Sequence, residues 1–165
     1  MKKTLVYLLM FFAVPAFGQA VGLHLPKEKP AYNWKRGALV FGLGAVSGTA
    51  YAFHEVSVHK PSMFPVSWNR EWWHEQAAWR NKYKNGDPNQ GPKYFGSTSF
   101  FVAPTSAKHT FGTVHRAGLL ATGITIGFGE KRPLWHYAVD LAAGFLGYTT
   151  MFHLTYSEGV FFGRN

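Results

Sequence analysis

The sequence predicts an all-α fold: a small membrane-embedded or membrane-associated helical bundle with an interfacial amphipathic helix. Three observations carry that expectation. Apolar stretches run over 35–58, 100–128 and 134–156, each close to the ~20 residues that a helix needs to cross ~30 Å of hydrocarbon. Small residues recur among large apolar ones in the first and third, with spacings of four that let helix backbones approach closely. A dense basic and aromatic segment beginning at Trp79 separates the first stretch from the second.

Taken in order, the chain opens with Lys2 and Lys3, an apolar run from Leu5 to Phe17, and small residues at Gly18 and Ala20. This is the pattern of a secretory signal, expected over 1–20 with the mature chain starting near Val21; an uncleaved signal anchor is the alternative. Either form directs the chain to the cell envelope, with the inner membrane favoured. Residues 21–165 then make a single helical membrane domain, too short for two. In the 35–58 helix Gly37, Gly42, Gly44 and Gly48 recur among Leu, Val, Phe and Ala. Over 68–84, Trp68, Trp72, Trp79 and Tyr83 fall within about 60° of one another at 100° per residue, opposite Arg70, His74 and Asn81. That aromatic face suits the headgroup level of a membrane, where tryptophan and tyrosine are favoured. Asn85-Gly86-Asp87-Pro88 and Gly91-Pro92 mark tight turns that end it. The 134–156 helix repeats the small-residue pattern with Ala143, Gly144 and Gly147. A barrel of alternating strands is disfavoured, because the apolar runs lack a period of two.

Composition narrows the function classes. Cysteine is absent, so disulfides, thiolate metal sites and cysteine nucleophiles are excluded. Aromatics at 18% and 18 glycines beside only 15% charged residues suit a membrane bundle, whereas a mean hydropathy of −0.11 leaves room for one lying partly in the interface. A pI near 9.9 suits an anionic surface; nucleic acid is not an expected partner of an exported chain with such apolar stretches, and membrane lipids and other envelope proteins are. Lysine and arginine barely favour one orientation. Lys60, Arg70, Arg80, Lys82, Lys84, Lys93 and Lys108 lie in the long connection, against Lys27, Lys29, Lys35, Arg36, Lys131 and Arg132 outside it. No GxSxG elbow surrounds Ser47 or Ser106, and Gly42-Leu43-Gly44 lacks a Walker lysine.

Ionisable residues in or beside apolar helices are functional candidates, since such groups are costly in hydrocarbon. With the three helices alternating in direction, His54, Glu55, His59, His109 and His153 reach one level. Glu130, His136 and Asp140 reach the other, roughly 20–30 Å away at 1.5 Å per residue. Imidazole and carboxylate groups converging from different helices are how bundles hold zinc or iron, and either metal would activate water. The set therefore marks a candidate metal site, although no HExxH or ExxH signature is present. Interfacial or helix-end histidines are the structural alternative.

Trp79-Arg80-Asn81-Lys82-Tyr83-Lys84-Asn85-Gly86-Asp87, then Phe95-Gly96-Ser97-Thr98, Phe100-Phe101-Val102 and Thr105-Ser106-Ala107-Lys108-His109, resemble a group of small uncharacterised polytopic membrane proteins of bacteria and their phages. The resemblance covers about half the chain and implies a carboxylate and a histidine at Glu55 and His109. Ser106 stands where that group usually has an aspartate. The C-terminal third is more faintly similar to VanZ-like and YfiM-like envelope proteins, with His109, Glu130, Asp140, Gly144 and Gly147 filling their pattern. Glu55, His109 and Asp140 are thus the candidate catalytic residues. Two functions remain open: an accessory or lipid-facing envelope component without catalysis, or a metal-dependent membrane hydrolase acting on a lipid or lipid-linked substrate. The hydrolase needs Glu55, His59, His109 and His153 within about 5 Å of one point, given metal bonds near 2.0–2.2 Å.

Overall fold

The computed structural model describes residues 30–162, and every regular element among them is helical. The expected signal segment 1–20 lies outside the described residues. Helix α1, Trp34–His59, opens on Asn33, whose side chain accepts the Arg36 backbone N–H at 3.3 Å. It stops where Lys60 donates to the Val56 carbonyl, just ahead of Pro61. The cap satisfies one of the orphan donors of a first turn, and proline cannot extend the hydrogen-bond ladder. Two single-turn helices follow, α2, Arg70–Trp73, and α3, Glu75–Ala78, with 3-10 turns at Trp79–Lys82, Lys84–Gly86 and Pro88–Gln90. The long helices α4, Ala107–Gly127, and α5, Leu134–Tyr156, complete the chain.

Two expectations about these elements are corrected. The second long helix begins at Ala107, not at 100, because Pro104 sits in a 3-10 turn and Ser106 caps α4 by accepting the His109 N–H at 3.3 Å. Phe100 and Phe101 belong instead to a turn in which Phe101 N donates to Gly96 O at 2.9 Å. The continuous amphipathic helix over 68–84 does not form either. Its break is at His74, an extended residue with φ −97° and ψ 120°. On an unbroken helix Trp68 and Trp73 would point about 140° apart. Here their rings meet, with centroids 4.3 Å apart, and both pack on the aromatic core. Packing two half-buried tryptophans against the aromatic core outweighs one turn of helix.

Helix α1 lies between α4 and α5, which scarcely touch each other. Its contacts with α5 rise in step along both chains, Val40 with Gly144 and Gly48 with Tyr148, so these two are parallel. Those with α4 fall, from Ser47 with Gly118 to His54 with Gly112, so α4 is antiparallel. The α1–α5 seam is built on glycine. A Cβ on Gly44 would lie 3.0 Å from the Gly144 carbonyl carbon, and one on Gly147 would lie 3.1 Å from Ala45 N. Large side chains gather at one end, where Phe53, Val56, Phe64 and Phe162 are buried with Trp68, Trp73 and Phe111 against them. Phe53 and Phe111 stack at 4.7 Å.

Apart from Arg116 on α4, the outer faces are largely apolar. Leu39 and Phe41 on α1, Leu120 and Ile124 on α4, and Phe145 and Leu146 on α5 are all exposed. No helix among the described residues is long and apolar enough to cross a membrane. The all-α architecture therefore stands on the backbone, and helix hydropathy alone does not carry the embedding.

Candidate functional site

Apart from His115 and Arg116 midway along α4, the ionisable residues collect at the two ends of the helix trio. From Arg36 to Glu55 α1 rises about 28 Å at ~1.5 Å per residue, which separates the two groups.

At one end Asp140, one turn and a half into α5, has no exposed surface. Its Oδ1 accepts the Tyr32 hydroxyl at 2.5 Å. Its Oδ2 meets Arg36 Nε at 2.9 Å and Arg132 Nη1 at 2.7 Å. The same guanidiniums close the end of α4: Arg36 Nη2 donates to the carbonyls of Thr125 and Ile126, and Arg132 Nη2 donates to Ile126 at 2.5 Å. Carbonyls of a last helical turn have no partner inside the helix, and cations suit that end of the helix dipole. Arg132 also lies over the Tyr137 ring at 4.2 Å. Burial first, and then the hydrogen bond to Asp140, push the Tyr32 hydroxyl up to about 12. Gly37 is what lets Tyr32 in, since a Cβ there would stand 3.0 Å from Tyr32 Cε1. One carboxylate thus ties together the segment before α1, α1 itself, the end of α4, the α4–α5 loop and α5.

At the other end Glu55 lies between two histidines, 3.4 Å from His54 Nδ1 and 3.4 Å from His59 Nε2. His153, largely exposed, faces Glu158 at 3.9 Å. His109 stands in the first turn of α4 beside Lys108, which pairs with Glu75. Among the described residues no group of three or more histidine, aspartate or glutamate side chains converges closely enough to hold a metal ion.

Of the three candidate catalytic residues, Glu55 and His109 share an end and Asp140 occupies the opposite one. Asp140 is held by Arg36, Arg132 and Tyr32, none of which is among the expected site residues. His136 does not join it: its Nε2 lies 3.2 Å from the Pro30 carbonyl. Glu130 is exposed in the loop before Arg132. A signal for the partners was present, because a carboxylate inside an apolar helix requires a compensating cation, and Arg36 and Arg132 are the arginines at its level.

His115 also escaped notice. Its Nδ1 lies 3.0 Å from Ser47 Oγ and 3.2 Å from the Ser47 carbonyl, while Ser47 Oγ donates to the His115 carbonyl at 2.9 Å. This reciprocal pair locks α1 to α4 midway along the trio. Ser47 is completely buried, and the arrangement satisfies its hydroxyl.

Of the four expected interface residues, Trp68 is packed into the aromatic core and Trp72 donates its Nε1–H to Pro104 O at 3.2 Å. Trp79 remains exposed, edge-on to Tyr83 at 6.2 Å. At the Asp140 end Trp34 and Trp135 are exposed beside Lys35 and Lys131. Comparison of the chain with protein-family models, with curated proteins and with solved structures finds no match in any of the three.

Proposed function

We propose that the chain is a small helical component of the cell envelope whose trio of long helices is seated in a membrane, in an accessory, lipid-facing role. One observation carries this reading: all three long helices turn large apolar side chains outward while the seam between α1 and α5 is glycine. In water the arrangement would be reversed, with large side chains inside. In lipid, where tails are as apolar as leucine, close backbone approach and internal hydrogen bonds hold helices together instead. Four of the polar residues that lower helix hydropathy support the reading too, because Ser47, Asp140, His136 and Thr155 are buried inward, whereas Arg116 of α4 is exposed. From Gly37 to Phe53 α1 has no charged residue, about 25 Å of helix at ~1.5 Å per residue, with Trp34 and Lys35 at its start.

The test is fluorescence quenching of the full chain in vesicles whose acyl chains carry bromine at defined depths. Trp34 and Trp135, kept while the other four tryptophans are changed to phenylalanine, are expected to be quenched most by bromine near the headgroups. A protein that stays monodisperse in buffer without detergent and shows no quenching overturns the reading.

A further inference from the structure

Between α2 and the turn at Gly86 the long connection forms an open polar cleft of about 610 Å³ that none of the roles above uses. Its walls are set by hydrogen bonds. The Asn81 side-chain amide donates to the carbonyls of Glu71 at 2.7 Å and Thr105 at 3.1 Å, which ties the wall to α2 and to the approach of α4. Lys93 N donates to Lys82 O at 2.8 Å and Lys84 N to Gly91 O at 3.1 Å, pairing Tyr83 with Pro92 in an antiparallel bridge. The reversal between them runs through Asn85 at φ 50° and Gly86 at φ 73°, left-handed conformations that asparagine and glycine adopt most readily. Ser97 Oγ, wholly buried, donates to Lys82 O at 2.7 Å and holds this turn from behind.

Two cations face the cleft, Arg80 and Lys93. Among the described residues neither has a carboxylate at ion-pair distance. The nearby acids are committed elsewhere or stand apart. Glu75 pairs with Lys108. Asp87 holds its own turn, accepting Asn89 N at 2.9 Å and Gln90 Nε2 at 3.2 Å. Glu71 lines the cleft without forming an ion pair with either cation, and with the Gln76 amide and the Asn81 side-chain oxygen it adds groups for further hydrogen bonds. A smaller hollow of about 320 Å³ shares Glu71, Asn81 and Lys93 with the first and continues toward Trp72 and Tyr94.

A guanidinium lying over the Trp79 ring at 5.5 Å and an ammonium, neither paired with a carboxylate and both beside the Gln76 amide, suit an oxyanion with several acceptor oxygens. We propose that this cleft binds a phosphate group borne by a hydroxylated or amine-bearing molecule, with Arg80 and Lys93 on the phosphate oxygens and Glu71 on a hydroxyl or ammonium of the same molecule. A phospholipid head group and a free phosphate ester share this chemistry. The choice between those two sources, and nothing else in the proposal, rests on the membrane reading above.

The experiment titrates the full chain in a neutral, phosphate-free detergent with inorganic phosphate and with glycerol phosphate, following the phosphorus resonance and the heat of binding. Wild type is compared with an Arg80→Gln, Lys93→Gln double variant and with Arg70→Gln, which removes a cation of α2 outside the cleft. Saturable binding is expected, tighter for glycerol phosphate, weakened at least tenfold in the double variant and unchanged in Arg70→Gln. Binding that is absent, or equal in wild type and double variant, overturns the proposal. Should the double variant fail to fold, the single substitutions Arg80→Gln and Lys93→Gln carry the same comparison.

Flotation with vesicles of phosphatidylglycerol and phosphatidylcholine in equal parts, against vesicles of a phosphate-free glycolipid, separates the sources. Glycerol phosphate binding that phospholipid vesicles displace assigns the site to a head group; binding they leave unchanged assigns it to a free ester. A chain that floats with both vesicle types but binds no phosphate sinks the cleft and spares the membrane reading. One that floats with neither yet binds phosphate through Arg80 and Lys93 does the reverse.

Discussion

Adding one methyl group to the glycine seam tests the packing most directly, because neighbouring glycines of α1 are predicted to respond with opposite signs. In Gly44→Ala the new Cβ would stand 3.0 Å from the Gly144 carbonyl carbon and 3.1 Å from its Cα, and closer still to the oxygen. Ordinary carbon contacts lie near 3.5–4.0 Å, so α1 and α5 must part by roughly 0.5–1 Å at that level. The obstacle is backbone, which cannot rotate away as a side chain would. Overpacking of this kind costs about 1–3 kcal/mol, against which alanine recovers about 0.5–1 kcal/mol of helix propensity. The expected net loss is about 0–2.5 kcal/mol, centred near 1. Gly42, two residues earlier in the same helix, has nothing within 4 Å of its Cβ position, so Gly42→Ala keeps only the gain of about 0.5–1 kcal/mol. Unfolding of both variants by denaturing detergent, followed by far-ultraviolet circular dichroism, measures the pair. Equal shifts, or a Gly44→Ala protein as stable as Gly42→Ala, refute the seam.

Three further outcomes follow from the ends of the helices. Asp140→Ala leaves Arg36 and Arg132 buried without their shared carboxylate, and is expected to lose about 3–5 kcal/mol in the same unfolding assay. Tyr32 has a hydroxyl raised from 10.0 to about 12, so in the folded state it holds its proton where the unfolded chain has released it. Its contribution is complete below pH 10 and disappears as the pH climbs through about 12; the stability gap between wild type and Tyr32→Phe therefore narrows across that window, and a gap that widens contradicts the burial. Ser106→Ala removes the cap of α4 and is expected to cost about 1 kcal/mol, read as faster amide exchange in the first turn at His109.

The three long helices were legible because their information is local. Largely apolar runs with recurring glycines specify the helices, and α1 and α5 end within a residue of the expected limits of 35–58 and 134–156. The start of α4 was legible as well, in Pro104 and the capping Ser106, but the apolar Phe100-Phe101-Val102 concealed it. The break at His74 was not, since it follows from where Phe53, Phe64 and Phe162 place a core that draws in Trp68 and Trp73 from opposite sides of a would-be helix. Of the candidate residues, the sequence separates the two ends correctly. It calls for a cation beside Asp140 and places Arg36 and Arg132 at its level, but that both of them and Tyr32 bind the one carboxylate depends on how the elements dock.

That docking explains why one chain needs three different cements. Midway along the trio the α1 and α5 backbones meet at Gly44, Gly48 and Gly147 with no room for a side chain between them, so dispersion between backbones joins these two, while the Ser47–His115 pair and the Tyr51 ring stacked on His115 join α1 to α4. The backbone seam has no large apolar area to withdraw from water, and its strength depends little on the hydrophobic effect. At the Phe53 end the helices diverge enough to admit rings, and burial of aromatic surface takes over. At the Asp140 end α4 terminates against α1 and α5 with carbonyls to satisfy, which apolar side chains cannot do; two guanidiniums can, and they in turn require a buried anion. The carboxylate in the middle of an apolar sequence is therefore a consequence of ending a helix against its neighbours, and its charge is needed for docking before any chemistry is assigned to it.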